Sequence, residues 1–133
     1  MLISERIDDF IRRLEENTSL KVIKGYPYAK KPTFLSRSVV VVSLGEVEAE
    51  NIELGGEKLY GRCRIVATIY VSACDNYDIT NAIAEVVHAQ LSAYPSAISV
   101  SGVSADDRIE CLKASCSFTF YDEVNFGGVS NEQ

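Results

Sequence analysis

The chain has no tryptophan, a single histidine and none of the short motifs that mark common enzyme sites. It contains no Walker loop, no G-x-G-x-x-G, no H-E-x-x-H and no nucleophile elbow. His88, the one histidine, lies beside the apolar stripe of a predicted helix, which is typical of a partly exposed helix residue. We therefore expect no catalytic residue, no metal site, no cofactor and no enzymatic activity.

Long hydrophobic runs are also missing. The most apolar stretch, residues 39–42, is far shorter than the roughly 20 residues that a membrane span needs. Charges at Glu5, Arg6, Asp8 and Asp9 interrupt the N-terminal segment, where a secretory signal needs an apolar core. We expect no membrane partner and a cytoplasmic location.

Cysteine is sparse, with four in 133 residues. This density and a reducing compartment predict free thiols, and Cys111 and Cys116 are five residues apart, so they face opposite sides of a strand. Cys63 and Cys116 alternate with polar residues and are predicted to lie in the core. Cys74 is the least implausible nucleophile, but no activating motif surrounds it.

Basic residues are outnumbered by acidic ones, 13 to 19, which gives a net charge of −6. Phosphate backbones are repelled on average by such a chain, so sequence-specific nucleic-acid binding is not expected. One local basic cluster is interrupted by prolines and lacks a helix or aromatic platform for reading bases. It consists of Lys24, Lys30, Lys31 and Arg37.

Two segments have the period of amphipathic helices. In residues 4–17 apolar side chains recur at helical spacing, and Ser4 is the predicted N-cap. Residues 79–93 have the clearest period in the chain. Their apolar stripe consists of Ile79, Ala82, Ile83, Val86, Val87, Gln90 and Leu91.

The region between these helices is rich in strands. Residues 20–23 predict a short strand, and residues 39–42 are apolar on both faces. Residues 46–54 and 57–72 are predicted to form a long hairpin around Gly55-Gly56. With a two-residue turn, the regular register would pair glutamates of the first arm with apolar residues of the second. The register therefore has to break, and Gly61 is the predicted bulge.

Residues 97–103 and 109–121 complete the predicted strands. The fold class is α+β: an antiparallel or mixed sheet with two amphipathic helices on one face and a long projecting hairpin. The predicted order is α-(β)-β-β-α-β-β. Residues 1–124 form one predicted domain, and residues 125–133 a flexible tail.

The turn "CDNYDIT" before the second helix carries two aspartates. Asp78 immediately precedes the helical stripe, and Asp75 lies three residues earlier. Either carboxylate can accept hydrogen bonds from the free N–H groups at the helix start. Because a metal site needs further ligands at supporting spacing, we interpret Asp78 as a helix N-cap.

Several segments together resemble the tail-terminator or tail-completion proteins of tailed phages, prophages and phage-tail-like particles. They are "KGYPYAKKPTF" leading into "VVVVSLGEVE", the helix "YDITNAIAEVVHAQL" and the final strand "SFTFYDEV". The resemblance covers roughly residues 2 to 124. This family is recognised by its pattern of elements and has no invariant catalytic motif, so it assigns no role to any residue.

The resemblance implies a structural virion protein. Its subunits form a ring, usually a hexamer, that caps the tail tube, ends tube polymerisation and joins the tail to the neck or head connector. The implied partners are other copies of the chain, the tail tube protein, the sheath protein and neck or head-connector proteins. The protein would lie in the host cytoplasm during assembly and afterwards in the virion or tail-like particle.

The charged hairpin is the predicted subunit interface. Glu46, Glu48 and Glu50 on one arm and Arg62 and Arg64 on the other could pair between subunits, although a solvated hairpin explains the same pattern. Two other functions stay open: another head-tail connector or neck component, and a non-phage α+β domain that binds a ligand or regulates a partner.

Overall fold

The computed structural model describes residues 2–25, 38–51, 58–73, 77–106 and 110–126. Within these ranges two helices and six strands form an α+β fold, the class that the sequence predicts. The helices are α1 (Ile3–Asn17) and α2 (Ile79–Gln90), which continues into a 3₁₀ turn (Leu91–Ala93). The strands are β1 (Lys21–Lys24), β2 (Val39–Glu50), β3 (Leu59–Ser72), β4 (Ala97–Val100), β5 (Ser104–Asp106) and β6 (Cys111–Val124).

The six strands form one mixed sheet in the order β1-β2-β3-β6-β4, with β5 beside β6 on the same edge as β4. β1 is parallel to β2, and the other pairs are antiparallel. The predicted strand over 97–103 is shorter in the structure, where β4 ends at Val100, and β5 forms from residues 104–106, which were not predicted to be a strand. Three residues of the connection, 101–103, face two residues of β6, and this extra residue interrupts the edge.

The core lies between the two helices and one face of the sheet, as predicted. Alternate residues of β3 and β6 point at the helices because successive strand side chains face opposite sides. These residues are buried: Cys63, Ile65, Ala67, Ile69 and Val71 on β3, and Ala114, Cys116, Phe118 and Phe120 on β6.

Helix α1 docks through one apolar side, with Ile7, Phe10 and Leu14 buried. The Phe10 ring meets the Phe118 ring edge to face, with centroids 5.2 Å apart. The predicted N-cap is wrong: α1 begins at Ile3, so Ser4 lies inside the first turn. The Glu5 side chain instead accepts a hydrogen bond from the Leu2 backbone N–H at 2.9 Å, which satisfies a donor at the helix start.

Helix α2 begins as predicted. The Asp78 carboxylate accepts a hydrogen bond from the Thr80 N–H at 2.8 Å. At the other end Gln90 is fully buried and donates from Nε2 to the Phe10 carbonyl at 3.0 Å, which ties α2 to α1. After the 3₁₀ turn, Tyr94 adopts a left-handed conformation with φ of 54°, which ends the helical segment.

The predicted hairpin differs from the structure in two ways. Residues 39–42 and the first arm are one continuous strand, β2. The register does break, but between Leu44 and Val47, where Gly45 and Glu46 together face Arg64. Gly61 is regularly paired with Ala49. A Cβ at position 61 would lie 1.9 Å from the Glu48 carbonyl oxygen, so this glycine permits close approach of two strands.

A second, smaller apolar cluster lies at the end of the sheet where β2 and β6 begin and β3 ends. It contains Val39, Tyr70 and Cys111, with Ile23 and Val41 packed against them. Cys111 therefore belongs to this cluster and Cys116 to the main core, on opposite sides of β6, as their spacing predicts. The predicted Gly55-Gly56 turn and residues 127–133 of the predicted tail lie outside the described residues, whereas the Asn125 carbonyl accepts a hydrogen bond from Ile3.

Candidate subunit interface

Three strands extend past their neighbours at one end of the sheet, which we call the distal end. β1 pairs with β2 only as far as Val42, and β4 begins to pair with β6 at Thr119. Beyond these points β2, β3 and β6 continue as a three-stranded unit that ends near Glu50, Leu59 and Val124. We call the opposite end, where β1 and β5 flank the sheet, the proximal end.

The surface of the distal end that points away from the helices is the candidate interface, and we call it the distal face. Its orientation follows from Cys63, which points into the core, so that Arg62 and Arg64 point outwards. Across the strands Glu48, Arg62 and Tyr121 form one row, and Glu50, Tyr60 and Glu123 the next. The distal face comprises Glu46, Glu48, Glu50, Tyr60, Arg62, Arg64, Thr119, Tyr121 and Glu123.

Ion pairs join the strands of the distal end. Arg62 Nη2 lies 3.1 Å from Glu48 Oε2, with both side chains more than half exposed. Lys58 Nζ lies 3.8 Å from Glu123 Oε1. Exposed pairs of this kind contribute roughly 0 to 1 kcal/mol to stability. The Arg62–Glu48 pair therefore orients its two side chains but contributes little to the stability of the sheet.

All five residues of the predicted interface lie on the distal face. Glu46, Glu48, Arg62 and Arg64 border one small recess beside Thr119. Glu48 and Arg62 pair inside one chain. Among the described residues, Glu46, Glu50 and Arg64 have no ion-pair partner. Their pairing between subunits stays a prediction.

A shallow groove of about 560 Å³ crosses the distal face. Two tyrosines border it, Tyr60 and Tyr121, and the Tyr121 side chain is 65% exposed. Glu48 and Glu50 line one side, while Gly61 and Ala49 leave the middle shallow. The sequence prediction did not include Tyr60, Tyr121 or Glu123. Tyr121 and Glu123 lie on β6, and its position beside β3 depends on strand order.

Helix α1 anchors the distal end from the opposite side. The Arg6 guanidinium lies 5.0 Å from the centre of the Phe120 ring, in a cation–π arrangement. A terminal nitrogen of the same side chain is 3.9 Å from the Asp122 carboxylate. These two contacts hold the last part of β6 against α1, and α1 therefore supports the strand backbone beneath the distal face.

The thiols have the surroundings of structural residues. Burial raises the pKa of the Cys63 thiol, and burial raises the pKa of Cys116 to about 11, so both stay protonated at neutral pH. A protonated, buried thiol is a poor nucleophile. Cys74 and Asp75, in the turn before α2, lie outside the described residues. Within the described ranges no three His, Cys, Asp or Glu side chains are grouped closely enough to hold a metal ion.

A polar cluster lies at the start of α2. The Tyr77 hydroxyl donates to Glu85 Oε2 at 2.5 Å and is 2.8 Å from Ser19 Oγ. His88 is exposed, as predicted, and borders a shallow groove with Glu85 and neighbouring residues of both helices. These contacts connect the end of α1 to α2. The three described cysteines, Cys63, Cys111 and Cys116, are buried, whereas His88 is exposed.

Comparison with known proteins leaves the resemblance untested. No protein-family model matches the chain, and no curated protein matches its sequence. Of the two described helices, neither has the length and apolar character required to cross a membrane.

Proposed function

We propose that the chain is a tail-terminator subunit of a phage, prophage or phage-tail-like particle. Copies form a ring, taken as a hexamer, that caps the tail tube, ends its polymerisation and connects the tail to the neck or head. The proposal rests on the resemblance in sequence, and the fold is compatible with it. The resemblance does not distinguish this role from that of another neck component, so the test separates the two.

The structural observation that supports the proposal is the distal end of the sheet. Three strands project past β1 and β4 there, with unpaired backbone groups along β2 beyond Val42 among the described residues. A projecting strand edge is a common site for association with another chain. The distal face adds charged and aromatic side chains, and tyrosine and arginine are enriched at protein interfaces.

The rest of the surface supports a mechanical role. The helices cover one face of the sheet, and the distal face carries no helix. The net charge of −6 repels phosphate groups on average, which suits a ring through which DNA passes without being held. The three cysteines in the described part of the chain, Cys63, Cys111 and Cys116, are buried.

The test is a tube-capping assay. Tube protein from the same gene neighbourhood is polymerised with and without this chain, and tube lengths and tube ends are measured by negative-stain microscopy. We expect shorter tubes with ring-shaped density at one end. Light scattering of the chain alone measures the mass of the ring.

Two results contradict the proposal. Tubes of unchanged length without density at their ends would show that the chain does not terminate them. Binding to a connector protein but not to the tube would instead assign the chain to the neck. A Phe118→Ala variant, which we expect to disrupt the core, is the negative control for nonspecific effects of added protein.

A further inference from the structure

One edge of the sheet ends in an exposed strand that carries no charge. Residues 89–105 contain no Asp, Glu, Lys, Arg or His, and this is the longest such run in the chain. The run includes β4, whose residues are exposed or half-buried. Charged side chains commonly protect the edge strands of proteins from pairing with other chains. The opposite edge has such charges, lysines on β1 and glutamates on the projecting part of β2, whereas β4 has none.

The backbone of β4 has hydrogen-bonding groups on its outer side. The Ser101 N–H, directly after β4, donates to the Ser115 carbonyl of β6 at 2.8 Å. Alternate residues of an antiparallel strand direct their backbone groups to the same side, so Ser99 also faces β6, whereas Ile98 and Val100 direct theirs away from it. Within the described part of the chain no strand lies on that outer side of β4. These backbone groups are therefore free to bind another strand.

Exposed apolar side chains accompany this free edge. Val100 is 43% exposed, Val103 is 50% exposed, and Tyr94, which precedes β4, is 88% exposed. Tyr94 also has a φ of 54° and is followed by Pro95, two conditions that are unfavourable for a bulky residue. Backbone strain of this kind is concentrated at functional sites, and here it lies beside the free edge. Side chains and backbone thus both indicate a contact surface at β4.

We propose that β4 pairs in antiparallel orientation with β4 of a second copy, about a twofold axis beside Ser99. In this register Ser99 lies opposite Ser99 of the second copy, and Ile98 lies opposite Val100 of the second copy. Because the backbone groups of Ile98 and Val100 both point outwards, each of these pairs exchanges two hydrogen bonds. The contact is isologous, so the same surface serves on both copies.

A second copy fits this edge in length, side chains and charge. The regular part of the edge is residues 97–101, because an extra residue interrupts the strand in 101–103. Centred on Ser99, this part pairs with itself over its whole length. Val100 pairs with the buried Cys116 of its own sheet and shares the helix side with it, so Ile98 of the second copy would cover Val100 there. Such apolar cross-strand pairs stabilise a sheet, and no like charges meet although each copy has a net charge of −6.

The same register brings together the exposed residues that flank β4. Position 97 lies opposite position 101 of the second copy, so position 95 reaches the level of position 103. Tyr94 of one copy therefore approaches Val103 of the other at each end of the contact. The exposure of both side chains in the single chain then has a physical reason, because each covers the other in the pair.

The corresponding twofold contact is unfavourable at the other projecting edge. Beyond Val42 the outer side of β2 has no described strand beside it. If this part paired with itself around Val47, Glu46 would lie opposite Glu48 of the second copy. Like charges directly opposite each other destabilise a sheet. Pairing of identical strands is therefore expected at β4 and not at β2.

This inference does not rest on the proposed function. The pairing extends the sheet in its own plane, so it leaves the distal face of each copy uncovered. It describes a contact between two chains that is separate from the candidate ring interface. The tube-capping assay and the experiments on β4 can therefore fail independently.

The first experiment introduces a charge beside the proposed axis. Ser99 is exposed, so Ser99→Lys and Ser99→Glu should keep the fold, which thermal unfolding checks. In either variant alone two like charges meet, whereas in an equal mixture a lysine meets a glutamate. Sedimentation equilibrium at low salt measures the step from one chain to two. We expect wild type to dimerise, each variant alone to dimerise about fivefold more weakly, and the mixture to recover at least the wild-type strength.

Two control variants change the net charge by the same amounts elsewhere. Glu15→Gln on α1 adds one positive charge unit, as Ser99→Lys does, and Lys21→Gln on β1 removes one, as Ser99→Glu does. Both positions are exposed and lie outside β4. Both variants should dimerise like wild type.

A second experiment tests the register by cross-linking. Opposite residues at a position such as Ser99 have Cβ atoms about 4.5 to 5.5 Å apart, close to the spacing that a disulfide requires. Mild oxidation of Ser99→Cys should therefore link two copies. Ala97→Cys is the matched control, because it is exposed on the same side of β4 but lies opposite position 101. It should give no more cross-linking than wild type.

Four results would overturn the inference. They are a wild-type chain that stays monomeric at every concentration, Ser99 variants that dimerise like wild type, a mixture no stronger than its two components, and equal cross-linking at positions 97 and 99. Capped tubes together with any of these results would leave the proposed function in place and remove the β4 contact.

Discussion

The proximal and distal ends of the sheet are built from the same strands but differ in what surrounds them. Near the proximal end Val40 and Ile69 pair with each other and are fully buried beneath the helix layer. At the distal end Glu48 pairs with Arg62, and both side chains are mostly exposed. A single strand thus changes from apolar to charged along its length. The change follows the bulge at Gly45 and Glu46, after which glutamates occupy the outward positions.

This difference separates stability from recognition. Buried apolar area contributes most of the free energy of folding, so substitutions in the core should be costly. Exposed charges contribute little to that free energy, so the distal face can vary without unfolding the domain. Substitutions at the two ends can test this separation.

The largest effect is expected from Phe118→Ala. Phe118 is fully buried and contacts the Phe10 ring, so its truncation leaves a cavity beneath α1 and should lower the free energy of unfolding by about 3 to 5 kcal/mol. Tyr121→Ala, three residues further along β6 and 65% exposed, is the matched control and should cost less than about 1 kcal/mol. Urea denaturation measures both. Equal losses would contradict the division between the two ends.

The next effect is a dependence on alkaline pH. Burial raises the pKa of Cys116 to about 11 from its ordinary value of 9.0, so the unfolded chain loses this proton first. The contribution to stability is full below pH 9 and is lost as pH rises towards 11, a change of roughly 2 to 3 kcal/mol. Urea denaturation between pH 8 and 11 under reducing conditions measures it. Cys116→Ala should flatten this part of the profile, and an unchanged slope would contradict the assignment.

Gly61→Ala should have an intermediate effect. The added Cβ would lie 1.9 Å from the Glu48 carbonyl oxygen and 2.7 Å from the Ala49 Cα, so β2 and β3 have to separate. We expect a loss of about 1 to 3 kcal/mol in the free energy of unfolding. Gly102→Ala is the matched control, because nothing lies within 4 Å of its added Cβ. Thermal unfolding compares the two, and a harmless Gly61→Ala would show that the strands are not in close contact there.

The smallest effect on stability is expected from Arg62→Ala and Glu48→Ala. The pair is exposed, so each substitution should change the free energy of unfolding by less than about 1 kcal/mol. A double-mutant cycle measures their coupling. Coupling of several kcal/mol would contradict the description of the distal face as a surface that contributes little to folding.

The sequence predicted most elements correctly wherever one face of an element is buried. The stripe of α2 and the alternation of β3 and β6 are strong patterns, because burial on one side selects apolar residues at a fixed period. Asp78 was also recognised, since an N-cap is a local feature. Ser4 was wrongly assigned as the N-cap. The apolar pattern of α1 includes the preceding residue, Ile3, so the pattern did not show whether the helix begins before or after Ser4.

The candidate interface was predicted only in part. Charge alternation indicated Glu46, Glu48, Glu50, Arg62 and Arg64, and the structure brings them to one face. The bulge was placed at Gly61 because an interior glycine often marks one, but its actual role is close strand contact. Tyr121 and Glu123 could not be assigned to the face without knowing that β6 lies next to β3.

By itself the sequence determined the class of fold and the buried face of each main element. These properties depend on local periodicity and composition, which can be read along one chain. The tertiary structure alone decided the strand order, the one-residue shift at Gly45 and Glu46 and the extension of β2, β3 and β6 past their neighbours. Those features depend on contacts between distant residues, where many registers satisfy the same pattern and packing selects one of them.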